Sequence, residues 1–430
     1  MANLFAHSAA FPNGIPPLGA APTQTYVPTA AILQGFATPC SFPNPQACSP
    51  SFSGNVNGLI QLAVPLHWVA GTTQQWNLTI QRELGRDWFM ELGYIGTKGT
   101  RLRSTYDPDQ ATLATPQNPV TIPGQGCVNL QAQGLSCQIV DSTVENASAR
   151  APYVGIAPGD FEDFAPNSDS HYSALQATLA HHFGKGLYFQ SAYTWSKSID
   201  DVSTASVAFL TRVNDQTDAA ASRGLSDFDR RQRFVTSGVY QLPFFSSASG
   251  FTKGALGGWE ASGVMILQSG APFTIYDPAG GTAYALASTP SSTATFSPGY
   301  SCANAPSSGG IQSRLANWVN PLAYTPDPLA TLSNGTPSDA TVYGNTPRNC
   351  IIGPPQKNVD FTLGKTFKLG ERQDLRFRAD FFNLFNHPSF ALPAATSVSP
   401  IVGGIGGGSA PITSTVGTPR LIQFSLKYSF

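Results

Sequence analysis

Apolar and polar residues alternate at a period of two in nine separate stretches of this chain, and almost no long helical pattern interrupts them. In the closing run Ile422, Phe424, Leu426, Tyr428 and Phe430 project one way, and Leu421, Gln423, Ser425, Lys427 and Ser429 the other. In the run before it Leu375, Phe377, Ala379 and Phe381 oppose Arg376, Arg378 and Asp380. Successive side chains of a strand point to opposite faces, so each stretch predicts a strand with one apolar and one polar face. The same reading places strands at Gln75–Gln81, Trp88–Tyr94, Leu175–Leu179, Leu187–Trp195, Arg233–Leu242, Trp259–Leu267 and Val359–Thr366. Residues 1–72, rich in Pro, Ala, Gly and Thr, read as an extended segment ahead of a single β-structure over 73–430.

The connections carry a second pattern. Short turns are expected at Leu84–Asp87, Gly184–Gly186 and Lys368–Glu371, with a medium one through Gly250–Gly258. Long polar loops are expected over 96–170, 198–227, 278–356 and 391–418. Short and long alternate along the chain, as in membrane β-barrels, which have short turns at one rim and long loops at the other. A soluble sandwich, the rival architecture, has uniformly short connections. No run of eighteen apolar residues is present, but barrel strands of about 9–11 residues do not need one.

Composition narrows the class further. Charged residues are only 11% of the chain, with 41 Gly and 35 Pro, which fits an all-β protein with long polar loops. A net charge of −1 leaves no basic footprint for nucleic acid. Residues 1–13 lack the basic and apolar regions of a signal peptide, and nine is an odd strand number where bacterial single-chain barrels use even ones. The expectation is therefore an antiparallel up-and-down transmembrane barrel of which this chain holds the last nine strands.

Several stretches are similar to a known family. Gln74–Leu84 with Gly93–Gly99, Tyr193–Asp201, Asp227–Phe234, Phe377–Pro388 and Thr415–Arg420 resemble, in this order, the Oar-like TonB-dependent transporters of the outer membrane. The final strand, with Phe424, Leu426, Tyr428 and the terminal Phe430, resembles the closing strand that the barrel-assembly machinery reads as a targeting signal. The resemblance implies the C-terminal part of a 22-stranded barrel in the outer membrane, with Phe430 on the periplasmic side and the long loops outside the cell. It also implies a plug domain and a TonB-contacting segment, neither of which is legible in these residues. TonB becomes an expected partner only if a plug is supplied.

Candidate chemistry is sparse. Cys40, Cys48, Cys127, Cys137, Cys302 and Cys350 all fall in loops, which suits disulfides of an oxidising compartment, paired in sequence so that each staples one loop. Metal binding is the rival, without CxxC spacing or nearby His to support it. Asp227, Asp229, Arg230, Arg231 and Arg233 form the densest charge cluster, read either as a ligand patch near the lumen rim or as an ion-pair lattice bridging neighbouring strands. A lipid-facing charge costs about 2–4 kcal/mol at the midplane, so these residues, like Arg376, Arg378 and Asp380, are assigned to the lumen.

Trp76, Trp88, Tyr94, Trp195, Trp259, Phe381 and Tyr428 suit interfacial girdles, with carbohydrate stacking as the alternative. Asn383, Asn386 and His387 are expected to end a strand, and His181–His182 to form a solvated pair at the rim. The six histidines make no HExxH and the serines no GxSxG elbow, so neither an enzyme nor a cofactor is expected. The function read from the sequence is passage or binding of a nutrient such as a siderophore, oligosaccharide or peptide. Surface adhesion, or a barrel relic without function, is the alternative.

Overall fold

In the computed structural model, residues 61–63, 68–85, 87–121, 137–144, 146–152, 161–184, 186–203, 212–247, 249–284, 292–340, 342–370, 372–393, 397–402 and 405–430 are described. The extended segment expected over 1–72 lies almost wholly outside them, as do Cys40, Cys48 and Cys127. Nine strands of the described residues form one meander: β1 (Thr72–Leu84), β2 (Trp88–Tyr106), β3 (Phe161–Gly184), β4 (Leu187–Asp200), β5 (Gln232–Gln241), β6 (Trp259–Gln268), β7 (Gln356–Lys368), β8 (Asp374–Phe382) and β9 (Leu421–Ser429). Each pairs antiparallel with its neighbours in sequence order. Gln61–Ala63 adds a parallel strand beside the start of β3, and Gly224–Leu225 pairs with the end of β4. The path ends at β1 and β9, which do not pair with each other, so the sheet is open.

Register turns the alternation of single strands into two faces of the whole sheet. Leu78, Tyr94, Leu175 and Trp195 stand side by side on β1 to β4. Ala261, Leu363, Ala379 and Phe424 do the same on β6 to β9. The neighbouring rows, Glu260–Gly364–Arg378–Ser425 and Ser262–Thr362–Asp380–Gln423, are polar and face the other way. Because the side-chain period is two, a slip of one residue anywhere would mix these rows, so the split fixes the register of all nine strands. The apolar side lies bare: Leu78 and Phe424 are each 67% exposed and Leu426 66%. So continuous an apolar surface needs a nonaqueous contact.

Two strands are longer than their hydrophobic pattern. β2 runs on through Thr97 to Tyr106, and β3 begins at Phe161, so the loop expected over 96–170 shrinks to 107–160. The extension is held by backbone pairing and mostly small or polar residues, with Arg103 over the Phe164 ring and register shifts near Gly99 and Leu102. A ladder carries no apolar signature where neither face is greasy, which is why periodicity missed it.

The turns are built where chirality permits. Gly85 (φ 75°) and Gly186 (φ 77°) take left-handed backbone at the β1–β2 and β3–β4 turns. At the far end of β8, Asn383 (φ 49°) and Asn386 (φ 51°) reverse the chain. The Asn383 amide donates to the carbonyls of His387 and Thr418, and its Oδ1 accepts from the His387 N–H at 2.9 Å.

His181 corrects the solvated-pair expectation. It sits on the apolar face, only 9% exposed, between the rings of Trp88 (4.8 Å) and Phe189 (6.1 Å), with Nδ1 2.9 Å from the Leu187 carbonyl. Register puts it in a row of aromatics at the short-turn rim, and the carbonyl gives its Nδ1 a partner.

Gly96 faces Trp76 across the β1–β2 pair, and a Cβ there would overlap the indole ring. The aromatic covers the bare glycine backbone. Gly96→Ala should therefore displace Trp76 and cost about 1–3 kcal/mol, read as a lower urea midpoint of the membrane-inserted protein together with a shift in tryptophan emission. An unchanged midpoint would show that Trp76 does not depend on that contact.

Candidate functional site

The four long connections, 107–160, 201–231, 269–355 and 383–420, leave the same end of the sheet, and the structure knits them into one head. Its core is Phe273, Ile275, Ala294, Trp318, Val319, Tyr324, Ile351 and Ile412 with their neighbours, drawn from the third and fourth connections. Burying a large side chain of this kind is worth about 1.5–3 kcal/mol. The long polar loops expected from the sequence therefore carry a fold of their own: isolated apolar residues at irregular spacing give no periodic signal, yet they converge. The Trp318 indole donates to the Ile352 carbonyl at 2.8 Å, and the Arg314 guanidinium lies 3.7 Å over its ring. The Cys302–Cys350 disulfide, closing 48 residues of sequence separation, ties the third connection to itself. Cys137 is also disulfide-bonded.

Polar bonds join the four connections to one another. Asp107 N–H donates to Gln216 Oε1 at 2.8 Å, linking the first to the second. Arg150, itself buried, donates to the carbonyls of Thr112, Thr143 and Ala283, which reaches the third. Thr293 N–H donates to Asn214 Oδ1 at 2.8 Å, and Trp318 N–H to the Ala410 carbonyl at 2.9 Å, so the second and fourth meet the third as well.

The charge cluster expected from sequence lies at the root of this head. Asp229 is buried, and its Oδ1 accepts from the Ser198 N–H at 2.7 Å; the Arg231 guanidinium lies 3.8 Å from the same carboxylate. Arg230 donates to the Asp229 carbonyl. Asp227 accepts from Asn349 Nδ2 at 2.6 Å and lies 3.5 Å from Arg348. Arg233 stands on β5 opposite Gln268 and Thr194.

The organising cation is Arg348, which sequence reasoning passed over because it stands alone in a polar loop. It is 7% exposed, ion-pairs with Asp200 at the end of β4, and donates to the carbonyls of Ser222 and Asp200 and to Ser203 Oγ. Asn349, in left-handed backbone (φ 55°), bonds Thr274 and Leu225. Cys350 of the disulfide follows it directly. The only hint in the sequence was this adjacency of Arg, Asn and Cys.

Arg376, Arg378 and Asp380 form a different group, on the polar face of the sheet. Arg378 meets Asp380 at 2.7 Å, Thr362 donates to Asp380 at 2.6 Å from the next strand, and Arg376 lies 3.9 Å from Glu260. Phe424, Leu426 and Tyr428 lie on the opposite, apolar face of β9, and Phe430 follows its end.

A buried carboxylate stands within the head. Asp327 is 5% exposed; its Oδ2 accepts from Ser292 Oγ at 3.2 Å, its other oxygen from Thr295, and its N–H donates to Asp277 Oδ2 at 2.7 Å. Burial pushes its pKa up to about 6, Asp277 adds to the rise, and the two hydroxyl bonds oppose it. No group of three or more His, Cys, Asp or Glu able to hold a metal ion occurs among the described residues.

Two outcomes follow from this geometry. Removing Arg348 strands the Asp200 carboxylate, so Arg348→Met should cost the head about 3–5 kcal/mol and expose the 269–355 connection to protease. The double variant with Asp200→Asn should recover much of that resistance; equal sensitivity of single and double variants would exclude the ion pair as the cause. Asp327 holds its proton better folded than unfolded, so its contribution to stability is complete below about pH 4 and is lost as pH rises through about 6. Asp327→Asn should then protect the head from protease at pH 7.5 and make no difference at pH 4; a benefit equal at both values would contradict the assignment.

Comparison with known proteins gives the architecture its context. No curated protein matches the chain. Among solved structures, the outer membrane transporter YddB from Escherichia coli is similar over 84% of this chain, at 7% identity and a TM-score of 0.36. The chain spans about a third of that transporter's length, with 32% covered. The family model described as outer membrane beta barrel domain matches residues 4–423. An open antiparallel sheet with a bare apolar face, short turns at one end and a folded head at the other is the form in which this chain belongs to the outer membrane beta barrel domain family.

Proposed function

We propose that the chain forms part of the wall of an Oar-like TonB-dependent transporter and that its head makes first contact with a nutrient outside the cell. The observation that carries this reading is the separation of roles along the strand axis: every long connection joins the head, and every short one leaves the opposite rim. In this orientation Phe430 faces the periplasm, and the polar row of Arg376, Arg378 and Asp380 lines the lumen. Phe424, Leu426, Tyr428 and Phe430 would then be offered to the barrel-assembly machinery. A wall of this class transports through a plug that moves within it, so coupling to TonB applies to the chain together with a plug. The substrate is a small molecule or oligomer; a siderophore, an oligosaccharide and a peptide all suit a polar lumen.

The folded head also suits surface display, since a core and a disulfide make a rigid exposed module. The two readings part on one comparison. Cells lacking the gene should take up labelled ferric siderophore, oligosaccharide or peptide more slowly, and loss of TonB should reproduce that defect. Normal uptake of all three with impaired surface attachment would replace transport with display. An epitope inserted at Gly335, in the turn of the Leu329–Ala340 hairpin, should be stained on intact cells; staining only after permeabilisation would reverse the orientation.

A further inference from the structure

The connection between β5 and β6 is the longest at the short-turn rim, and its surface is not that of a turn in water. Phe244, Phe245 and Leu256 are 62%, 49% and 50% exposed, and Phe251 is 90% exposed. Between them runs a single short helix, α1 (Gly250–Leu256). Four large apolar groups on a stretch this short would be a liability on a surface facing only water.

The way α1 is docked shows which side of the sheet it occupies. Trp259, Lys365, Phe377 and Leu426 share one row on β6 to β9, and that row belongs to the apolar face. A lysine there would place a charge against lipid. Instead Lys365 is 4% exposed, and its Nζ donates to the carbonyls of Ala255 and Gly257, at 2.8 and 2.6 Å. These are carbonyls of the last turn of α1 and its cap, left without intrahelical partners and carrying the negative end of the helix dipole. Its ammonium also lies 5.4 Å from the Trp259 ring and 4.8 Å from that of Phe367. The Trp259 indole donates to the Ala255 carbonyl at 3.3 Å as well. Two side chains of the apolar face thus hold the C-terminal end of α1 on that face, at the rim where Trp88, Phe189 and His181 also cluster.

We infer that the β5–β6 connection is an interfacial foot: it lies along the apolar side of the wall with Phe244, Phe245, Phe251 and Leu256 in the headgroup and acyl boundary of the adjoining phospholipid leaflet. Its occupant is the bilayer itself, because the exposed aromatics continue the face that the barrel family presents to lipid. Such a segment binds through the apolar area it buries together with attraction to anionic headgroups. The foot would fix the depth and tilt of β5 and β6 in the membrane, since tilt is set by interfacial anchors. The inference rests on the apolar face meeting lipid and on the orientation proposed above, which sets the short-turn rim at the periplasmic leaflet.

The test is a photoreactive benzophenone amino acid placed at Phe251 in the full chain, in outer-membrane preparations, with adducts identified by mass spectrometry. The same probe at Phe424, mid-strand on the apolar face, and at Thr336, on the head, brackets the result. Phospholipid adducts at 251 and 424, with only background at 336, are expected. Lipid adducts at 424 but background, or adducts to another protein, at 251 would overturn the foot and leave the membrane-spanning wall intact. Background at both 251 and 424 would overturn the foot together with the lipid contact on which it rests.

Discussion

Everything in this molecule depends on one demand: in hydrocarbon, each backbone N–H and C=O must find its partner within protein. A chain without long apolar helices meets it by pairing strands, and here β2 to β8 find partners on both sides in strict sequence order, with β1 and β9 paired on one side each. Once pairing is fixed, the period of two distributes side chains without further choice. That is why Leu78 and Phe424, at opposite ends of the sheet, lie on one face. It is also why Arg378 and Asp380 can be carried in a membrane wall, where they answer each other and Thr362 on the polar side.

Freed from that demand beyond the strand ends, the chain behaves differently at its two rims. At one, the turns are short enough that glycine backbone settles most of them. At the other, the connections are long enough to need a fold of their own, and they acquire the usual means: a core around Trp318 and Tyr324, a disulfide, and buried hydrogen bonds. Arg348 shows the energetic logic. A buried ion pair stabilises weakly against an apolar alternative, but losing one partner is costly, so a residue of this kind enforces a particular arrangement more than it adds stability. By contacting Asp200, Ser203, Ser222 and Asp227 from a distant connection, it fixes where the head meets the sheet.

This division explains what could be read from the sequence. The nine strands were legible because lipid or lumen on either side imposes alternation, and the closing strand was the clearest because its faces are the most unlike. The extensions of β2 and β3 were not, since polar residues on both faces leave hydrogen bonding without a periodic trace. The head escaped notice for the opposite reason: Ile275, Trp318, Ile351 and Ile412 are apolar but come together only in three dimensions. Among charges, the dense cluster at 227–233 drew the eye, while the lone Arg348 holds more of the structure.

Lys365 carries the same lesson to the other rim. Read by period alone, it is a charge on the wrong face, an exception to be explained away. Its position becomes intelligible only when the β5–β6 connection is seen to bring helix carbonyls to it, so that a cation and a helix end, each poorly placed alone, satisfy one another at the edge of the apolar band. A departure from the alternating pattern therefore marks a place where something outside the sheet must supply the missing partner. In this wall that something is a segment whose own aromatics point onward, away from the protein.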